Sequence, residues 1–248
     1  MKIRSQIRQA NLRLNDRFWP RGTVGFLDRY YHRAAEFAAG TQWVLNLGAG
    51  TQDIAQQFDR GPDSPRVLNI DIELKDLIKN PSNLRICANA EALPIKAETI
   101  DLICARLVFE HIADPGRVLA ECFRVLKKGG HLLIVGPNGW SYIAAVARLT
   151  PLKFHNMILR TTLDAETGIH GFHTYYRFNS LRAMRGLSKK AGFELVSFER
   201  FVGAPCYTIS FPLVHAVAVA YHLLLEQLKP KVGCHITSVA AFRKPLWS

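Results

Sequence analysis

The chain of 248 residues is 48% apolar and 21% charged, enough to bury one large α/β core with elaborations, short for two full domains, and unlike a disordered or repetitive polypeptide. Its net charge of +12 is uneven: residues 1–33 carry 8 basic and 2 acidic side chains, residues 34–138 carry 11 and 13, and residues 139–248 carry 13 and 5. Basic flanks around a slightly acidic middle put chemistry in the centre and an anionic contact, phosphate or membrane surface, at the ends.

The N-terminal "MKIRSQIRQANLRLNDRFW" is too polar for a signal peptide and reads as a basic amphipathic arm, which points to a cytoplasmic protein. A helix is predicted over 23–39. Strand Trp43–Leu47 follows, then Gly48 and Gly50, then a helix over Thr51–Phe58. Arg66–Ile70 is the next strand, and Glu73–Lys79 a short helix stopped by Pro81. Leu84–Ala88 and Ile100–Ala105 are short apolar strands of the kind that parallel sheets bury on both faces.

In "DPGRVLAECFRVLKKGGHLLIVG", Asp114 suits a helix N-cap and Pro115 the first helical position, where its missing N–H costs nothing. Val118, Leu119, Cys122, Phe123 and Leu126 form the apolar stripe, and Lys127 and Lys128 favour the negative end of the helix. Gly129 and Gly130 are predicted to end it before strand His131–Val135. Past Asn138 the alternation breaks for a long insertion, returns with helix Asn179–Ala191 and strand Phe193–Arg200, breaks again, and closes on strand His235–Phe242. The whole reads as a Rossmann-like, doubly wound α/β sheet with helices on both faces. Residues 1–40 are expected to form an arm and helix, 41–138 the nucleotide-binding core, and 139–248 the rest of the sheet with insertions at 139–178 and 201–233. The scattered Cys87, Cys104, Cys122, Cys206 and Cys234 lack any C-x-x-C pair and read as reduced core residues.

Two glycines at the end of a strand let a ligand approach the backbone where a Cβ would obstruct it. A dinucleotide fingerprint would want a third glycine at position 53, where this chain has Asp53, a carboxylate facing the place of a pyrophosphate. Asp71 ends the second strand and can accept both hydroxyls of a ribose.

The segment "CANAEALPIKAETIDLICARLVFEHIADPGRVLAECFRVLKKGGHLLIVGPN" resembles the central block of class I S-adenosylmethionine-dependent methyltransferases of the broad type 11 family. The resemblance covers roughly residues 40–138, with weaker likeness in "AGFELVSFER" and "AAFRKP". It implies a mostly parallel sheet with an antiparallel last strand, and S-adenosylmethionine as cofactor. By the same resemblance Gly48, Ala49 and Gly50 cradle the methionyl part, Asp71 takes the ribose and Ile72 packs on adenine. Asn89, Ala90 and Glu91 lie along the adenine edge, and Arg106 lines the methionyl end. The chain departs from the family at Asn46, where an acid is usual, at Gln52, where a third glycine is common, and at Asn89 in place of Asp. Losing the acid at 46 removes a charge attraction to the cofactor's ammonium, a change of about 1 kcal/mol.

Methyl transfer from a sulfonium needs in-line approach and exclusion of water, plus a base only where the acceptor is protonated. His111 in "FEHI", His170, and His173 in "GFHTYYRF" are the candidate bases, with His111 and His173 foremost; His111 reads first as a structural residue, and His173 equally as base or structural residue. Tyr175, Tyr176 and Phe178 read either as a pocket wall or as ordinary core. Glu110 and His111 are adjacent, with no further ligands spaced to complete a metal site, so no metal is expected. Phe201–Leu225 runs 25 residues without Asp, Glu, Lys or Arg, long enough to cross a bilayer. The strands on either side should pair in one sheet, however, and Gly203, Pro205 and Pro212 interrupt a continuous helix. A buried helix, a lid, or an element in peripheral contact with a membrane are the readings left. The expected function is methyl transfer to a small-molecule or lipid-linked acceptor, at oxygen. One rival is an RNA methyltransferase, suggested by the pI of 9.7. No RNA-binding module is appended and no Asn-Pro-Pro-Tyr motif follows the fourth strand, so nucleic acid is not the expected partner. A second rival is a cofactor-fold protein without catalysis, suggested by Asn46 and Gln52. The sequence leaves the oligomeric state open.

Overall fold

The short runs Trp43–Leu47 and Ile100–Ala105 become central strands buried on both faces, whereas Arg85–Cys87 lies exposed at the sheet edge. The structure, a computed structural model, describes residues 2–20, 25–58, 61, 64–142, 144–145, 172–205, 208–232 and 235–247. In chain order its elements are α1 (Lys2–Phe18), α2 (Phe26–Ala38), β1 (Trp43–Leu47), a 3₁₀ turn (Ile54–Gln57), β2 (Arg66–Asp71), α3 (Leu74–Leu77), β3 (Arg85–Cys87) and β4 (Ile100–Arg106). A 3₁₀ turn (Phe109–His111), α4 (Pro115–Val125), β5 (Leu126–Pro137), α5 (Leu181–Lys190), β6 (Glu194–Phe201), α6 (Pro212–Val232) and β7 (Thr237–Arg243) follow. Two compact units divide the chain: Met1–Gly25, Trp140–Thr174 and Arg200–Thr237 form one, and Phe26–Gly139, Tyr175–Glu199 and Ser238–Ser248 the other.

The second unit holds the core. Seven strands run in the order β3-β2-β1-β4-β5-β7-β6, with β1–β2, β1–β4, β2–β3 and β4–β5 parallel and β7 antiparallel at the end, so the expected doubly wound sheet is present. Alternation along β1 sends Leu45 and Leu47 into a cluster with Val118, Leu119 and Cys122 of α4. Val44 and Asn46 point to the opposite face, where α2 packs on β4 and β5 and stacks Phe37 on His131 with ring centroids 4.3 Å apart. Asp114 caps α4 as read, its carboxylate accepting from the Gly116 and Arg117 amides at 3.1 and 3.3 Å.

Three readings need correction. Gly129 and Gly130 do not end α4, which stops at Val125; β5 starts at Leu126, and the glycines lie inside it. There the Gly129 amide donates to the Lys244 carbonyl and the Lys244 amide to that of Gly130, both at 2.9 Å. A Cβ on Gly130 would sit 2.9 Å from the Asp101 and Lys127 carbonyl oxygens, so the strand requires glycine here as firmly as a helix stop would. The helix predicted over Thr51–Phe58 is only the single 3₁₀ turn, with Asp53 as its cap accepting from the Ala55 amide at 3.0 Å. Of the cysteines, Cys104 and Cys122 are buried as expected, but Cys87, ending the edge strand β3, is exposed, and Cys206 and Cys234 lie outside the described residues.

The strand order reverses between β1 and β4: the chain leaves β1 towards β2 and β3, then returns to β4 on β1's other side. At that switch the connections part, leaving a crevice at the carboxyl ends of the strands where open α/β sheets hold ligands. In the first unit, α1 packs on α6. No helix among the described residues is long and apolar enough to cross a membrane, and β6 and β7 are neighbours joined by the Ile236 amide donating to the Phe201 carbonyl at 2.8 Å, as the one-sheet reading requires.

Candidate active site

A cavity of about 210 Å³ opens at the switch point, lined by Asn46, Gly48, Ala49, Gln52, Asp53 and Arg106 together with Tyr30 and Tyr31 of α2. Its floor is the loop after β1. Gly48 has φ +68° and Gly50 φ +50°, a left-handed backbone that favours glycine. A Cβ on Gly48 would collide with the Val108 side chain, so this glycine makes room for the turn after β4 and not for a ligand. At Gly50 the nearest atom to such a Cβ is the Asp71 carboxylate at 4.0 Å, and the approach stays open.

The loop is held by side chains from the strands beneath it. Asp71 Oδ2 accepts from the Gly50 amide at 2.7 Å and Oδ1 from the Glu73 amide at 2.8 Å, leaving further lone pairs on both oxygens. Asn46 and Asn69 face each other across β1 and β2; Asn46 Nδ2 donates to Asn69 Oδ1 at 2.8 Å and to the Gln52 carbonyl at 3.0 Å. Asn69 Nδ2 donates in turn to Asp53 Oδ1 at 3.3 Å, and Asn80 Nδ2 to the Gly50 and Gln52 carbonyls at 3.2 and 3.0 Å. An acid at position 46 could not donate these bonds. Asparagine therefore exchanges a charge for a tether.

Arg106 ends β4 and turns into the cavity, followed by Leu107 at φ 56°, an uncommon backbone for a branched side chain. Tyr30 is buried with its hydroxyl against the Cys104 thiol; burial raises the phenol well above its usual value and pushes the thiol up to about 12, so both are neutral at physiological pH. Asp53 and Arg106 are then the charged groups lining the cavity, one of each sign. An amino-acid zwitterion, as in the methionyl end of S-adenosylmethionine, matches that pair.

The remaining predicted residues follow along the same edge, outside the cavity. The Ala88 amide donates to the Asp71 carbonyl at 3.0 Å, which brings the segment after β3 beside the end of β2. Ile72 is 66% exposed and presents an apolar surface. Asn89 Oδ1 accepts from the Glu91 amide at 2.9 Å, Ala90 is half-buried, and Glu91 lies 3.7 Å from Arg117. His111 is half-buried in the 3₁₀ turn after β4, His173 is exposed and belongs to the first unit, and His170 lies outside the described residues. Phe178 is core, packed on Phe109 with centroids 4.8 Å apart, while Tyr175 is exposed. Sequence reasoning missed Tyr30 and Tyr31, whose signal was a pair of aromatic residues on the amphipathic helix just before β1.

Residues 45–134 match a family model described as a methyltransferase domain. The ubiquinone/menaquinone biosynthesis C-methyltransferase UbiE of Edwardsiella ictaluri is 29% identical over 180 residues, 65% of this chain and 70% of that protein. UbiE of Acidiphilium cryptum is 27% identical over 207 residues, 75% and 76% of the two chains. Among solved structures, a SAM-dependent methyltransferase from Methanosarcina mazei superposes with a TM-score of 0.55 at 17% identity, covering 86% of this chain and 97% of that one. The [4+2]-cyclase SpnF does so with 0.55 at 17%, over 88% and 82%. The matched span runs from β1 through most of β5 and contains the glycine loop, Asp71 and Arg106. By that match the span from β1 to β5 is a methyltransferase domain of the S-adenosylmethionine-dependent kind, set on a fold shared with such enzymes.

Proposed function

We propose that the protein methylates a small-molecule or lipid-linked acceptor of apolar character, at oxygen, and that peripheral contact with a membrane brings that acceptor within reach. The observation that carries the cofactor's placement is the cavity at the β1/β4 switch, with Asp53 and Arg106 on its wall and Asp71 beside Gly50. In this reading Gly48, Ala49, Gly50 and Asn46 lie along the methionyl part and Arg106 attracts its carboxylate. Asp71 accepts from the ribose, Ile72 covers one face of the adenine, and Asn89, Ala90 and Glu91 follow its edge. When bound, S-adenosylmethionine supplies an electrophilic methyl group on sulfur. The likeness to enzymes named C-methyltransferases supports a second reading, transfer to carbon. An aromatic carbon becomes a strong nucleophile when a conjugated hydroxyl is ionised, so either reading asks the protein to remove a hydroxyl proton.

His173 is the proposed base. His173→Ala is expected to lower turnover about a hundredfold with cofactor affinity unchanged, read from initial rates and calorimetry. If His111→Ala shows that profile instead, the role moves to His111; if neither does, histidine is not the base. The acceptor class is tested by incubating the protein and labelled S-adenosylmethionine with lipid extract or with total RNA. Label is expected in the lipid fraction, and label in RNA would overturn the reading.

A further inference from the structure

Helix α6 is apolar on its outward face as well as its buried one, and its polar histidines point inward. Its buried arc is His215, Ala218, Val219, His222 and Leu225, with the two histidines 0% and 1% exposed. Its outward arc is Leu213, Val214, Val217, Tyr221 and Leu224, recurring at helical spacing, with Leu213 84% and Val217 70% exposed. A helix facing water turns its apolar stripe inward.

Beside an apolar cluster of Leu225 with Val202 and Ile236, the two histidines of the buried arc are hydrogen-bonded. His222 bonds the Tyr142 hydroxyl through Nε2 at 2.9 Å and the Gly203 carbonyl through Nδ1 at 2.7 Å. His215 bonds the Thr208 hydroxyl at 2.9 Å and the Asn11 carbonyl of α1 at 3.3 Å, while Asn11 Nδ2 donates to the Ile209 carbonyl at 2.9 Å. Burial lowers both imidazoles below their usual value and keeps them neutral. These bonds fix the rotation of α6, so the outward apolar arc cannot be hidden by rolling the helix without breaking them.

On the same unit, α1 exposes Leu12 and Phe18 among the exposed Arg13 and Arg17. The sequence of this unit carries 12 basic and 4 acidic residues, a net +8. Two such surfaces repel, which disfavours a second copy as the occupant, whereas an anionic lipid surface satisfies both the charge and the apolar arc.

From this geometry we infer that the outward arc of α6, centred on Leu213 and Val217, docks into the interface of an anionic membrane, with the arginines of α1 at the headgroups. The inference deepens the lipid-linked acceptor proposed above by naming the surface that makes the contact. The test is co-sedimentation of the full chain with vesicles of phosphatidylcholine alone or with about one third phosphatidylglycerol. Binding is expected on the anionic vesicles, lost as salt rises from about 0.1 M to about 1 M, and weakened at least about tenfold by Leu213→Glu with Val217→Glu. Leu213→Ser with Val217→Ser should weaken it in the same direction and guards against misfolding of the charged pair. Circular dichroism and S-adenosylmethionine calorimetry on the same samples separate a lost docking face from a lost fold or a failed cofactor assignment. Equal binding by a folded variant overturns the inference, as does failure to bind either vesicle. A wild-type dimer that the substitutions dissolve gives the face to a second copy instead.

Discussion

Asp71→Ala is expected to lower the affinity for S-adenosylmethionine about a hundredfold. Two losses combine: the carboxylate proposed to accept from the ribose, and the tether that holds the Gly50 amide at 2.7 Å and the Glu73 amide at 2.8 Å. Charge-assisted hydrogen bonds of this kind contribute about 1.5–3 kcal/mol each, and a loss of about 2.7 kcal/mol is already a hundredfold in affinity. Asp71→Asn keeps one carbonyl oxygen as acceptor for one of the two amides and should fall between. Isothermal calorimetry on both variants measures the effect, with the demethylated product as second ligand. A folded Asp71→Ala protein that binds as tightly as the wild type removes the ribose assignment.

Glu110→Gln is expected to stabilise the protein more at pH 8.5 than at pH 5.5, by a few kcal/mol at the higher value. Burial raises the Glu110 carboxyl from its ordinary value to about 8. Between the two values the folded chain keeps a proton that the unfolded chain gives up. The stability tied to the neutral carboxyl is complete below the unfolded value of about 4.5 and is lost as pH rises through about 8. Among the described residues Glu110 Oε2 and Asn179 Oδ1 have no hydrogen-bond partner, and each side chain approaches Gly136, where a Cβ would meet Asn179 Nδ2 at 3.2 Å and Glu110 Oε2 at 3.4 Å. Protonation turns one of these two acceptors into a donor. Urea denaturation at the two pH values checks the prediction, and parallel wild-type and variant shifts would refute it.

The central strands were legible because burial on both faces leaves a short, mostly apolar run: Trp43–Leu47 was read to the residue, and Arg66–Ile70 and Ile100–Ala105 to within one. The start of β5 was not, because paired glycines are a local stop signal, whereas their partner Lys244 is more than a hundred residues away. The candidate site was legible where a residue type at a strand end carries chemistry, as at Gly48, Gly50, Asp71 and Arg106. The asparagine tethers were not, since pairing Asn46 with Asn69 needs the register of two strands, and Tyr30 and Tyr31 arrive on a helix whose docking only the tertiary structure shows. For α6 the uncharged run was visible but its rotation was not, because the side chains that set it, His215 and His222, are the polar ones.

The space beside Gly48 is occupied by Val108, delivered there by the turn at Leu107. Two loops sixty residues apart in sequence thus share one volume, and their histories are joined. A lineage that enlarges position 48 must first shrink position 108 and also tolerate a left-handed backbone at a residue with a side chain. A lineage that shrinks 108 alone opens a void under the loop at no gain to the cofactor. Variation at the two positions should therefore be ordered in time, with changes at 108 coming first and changes at 48 confined to their descendants.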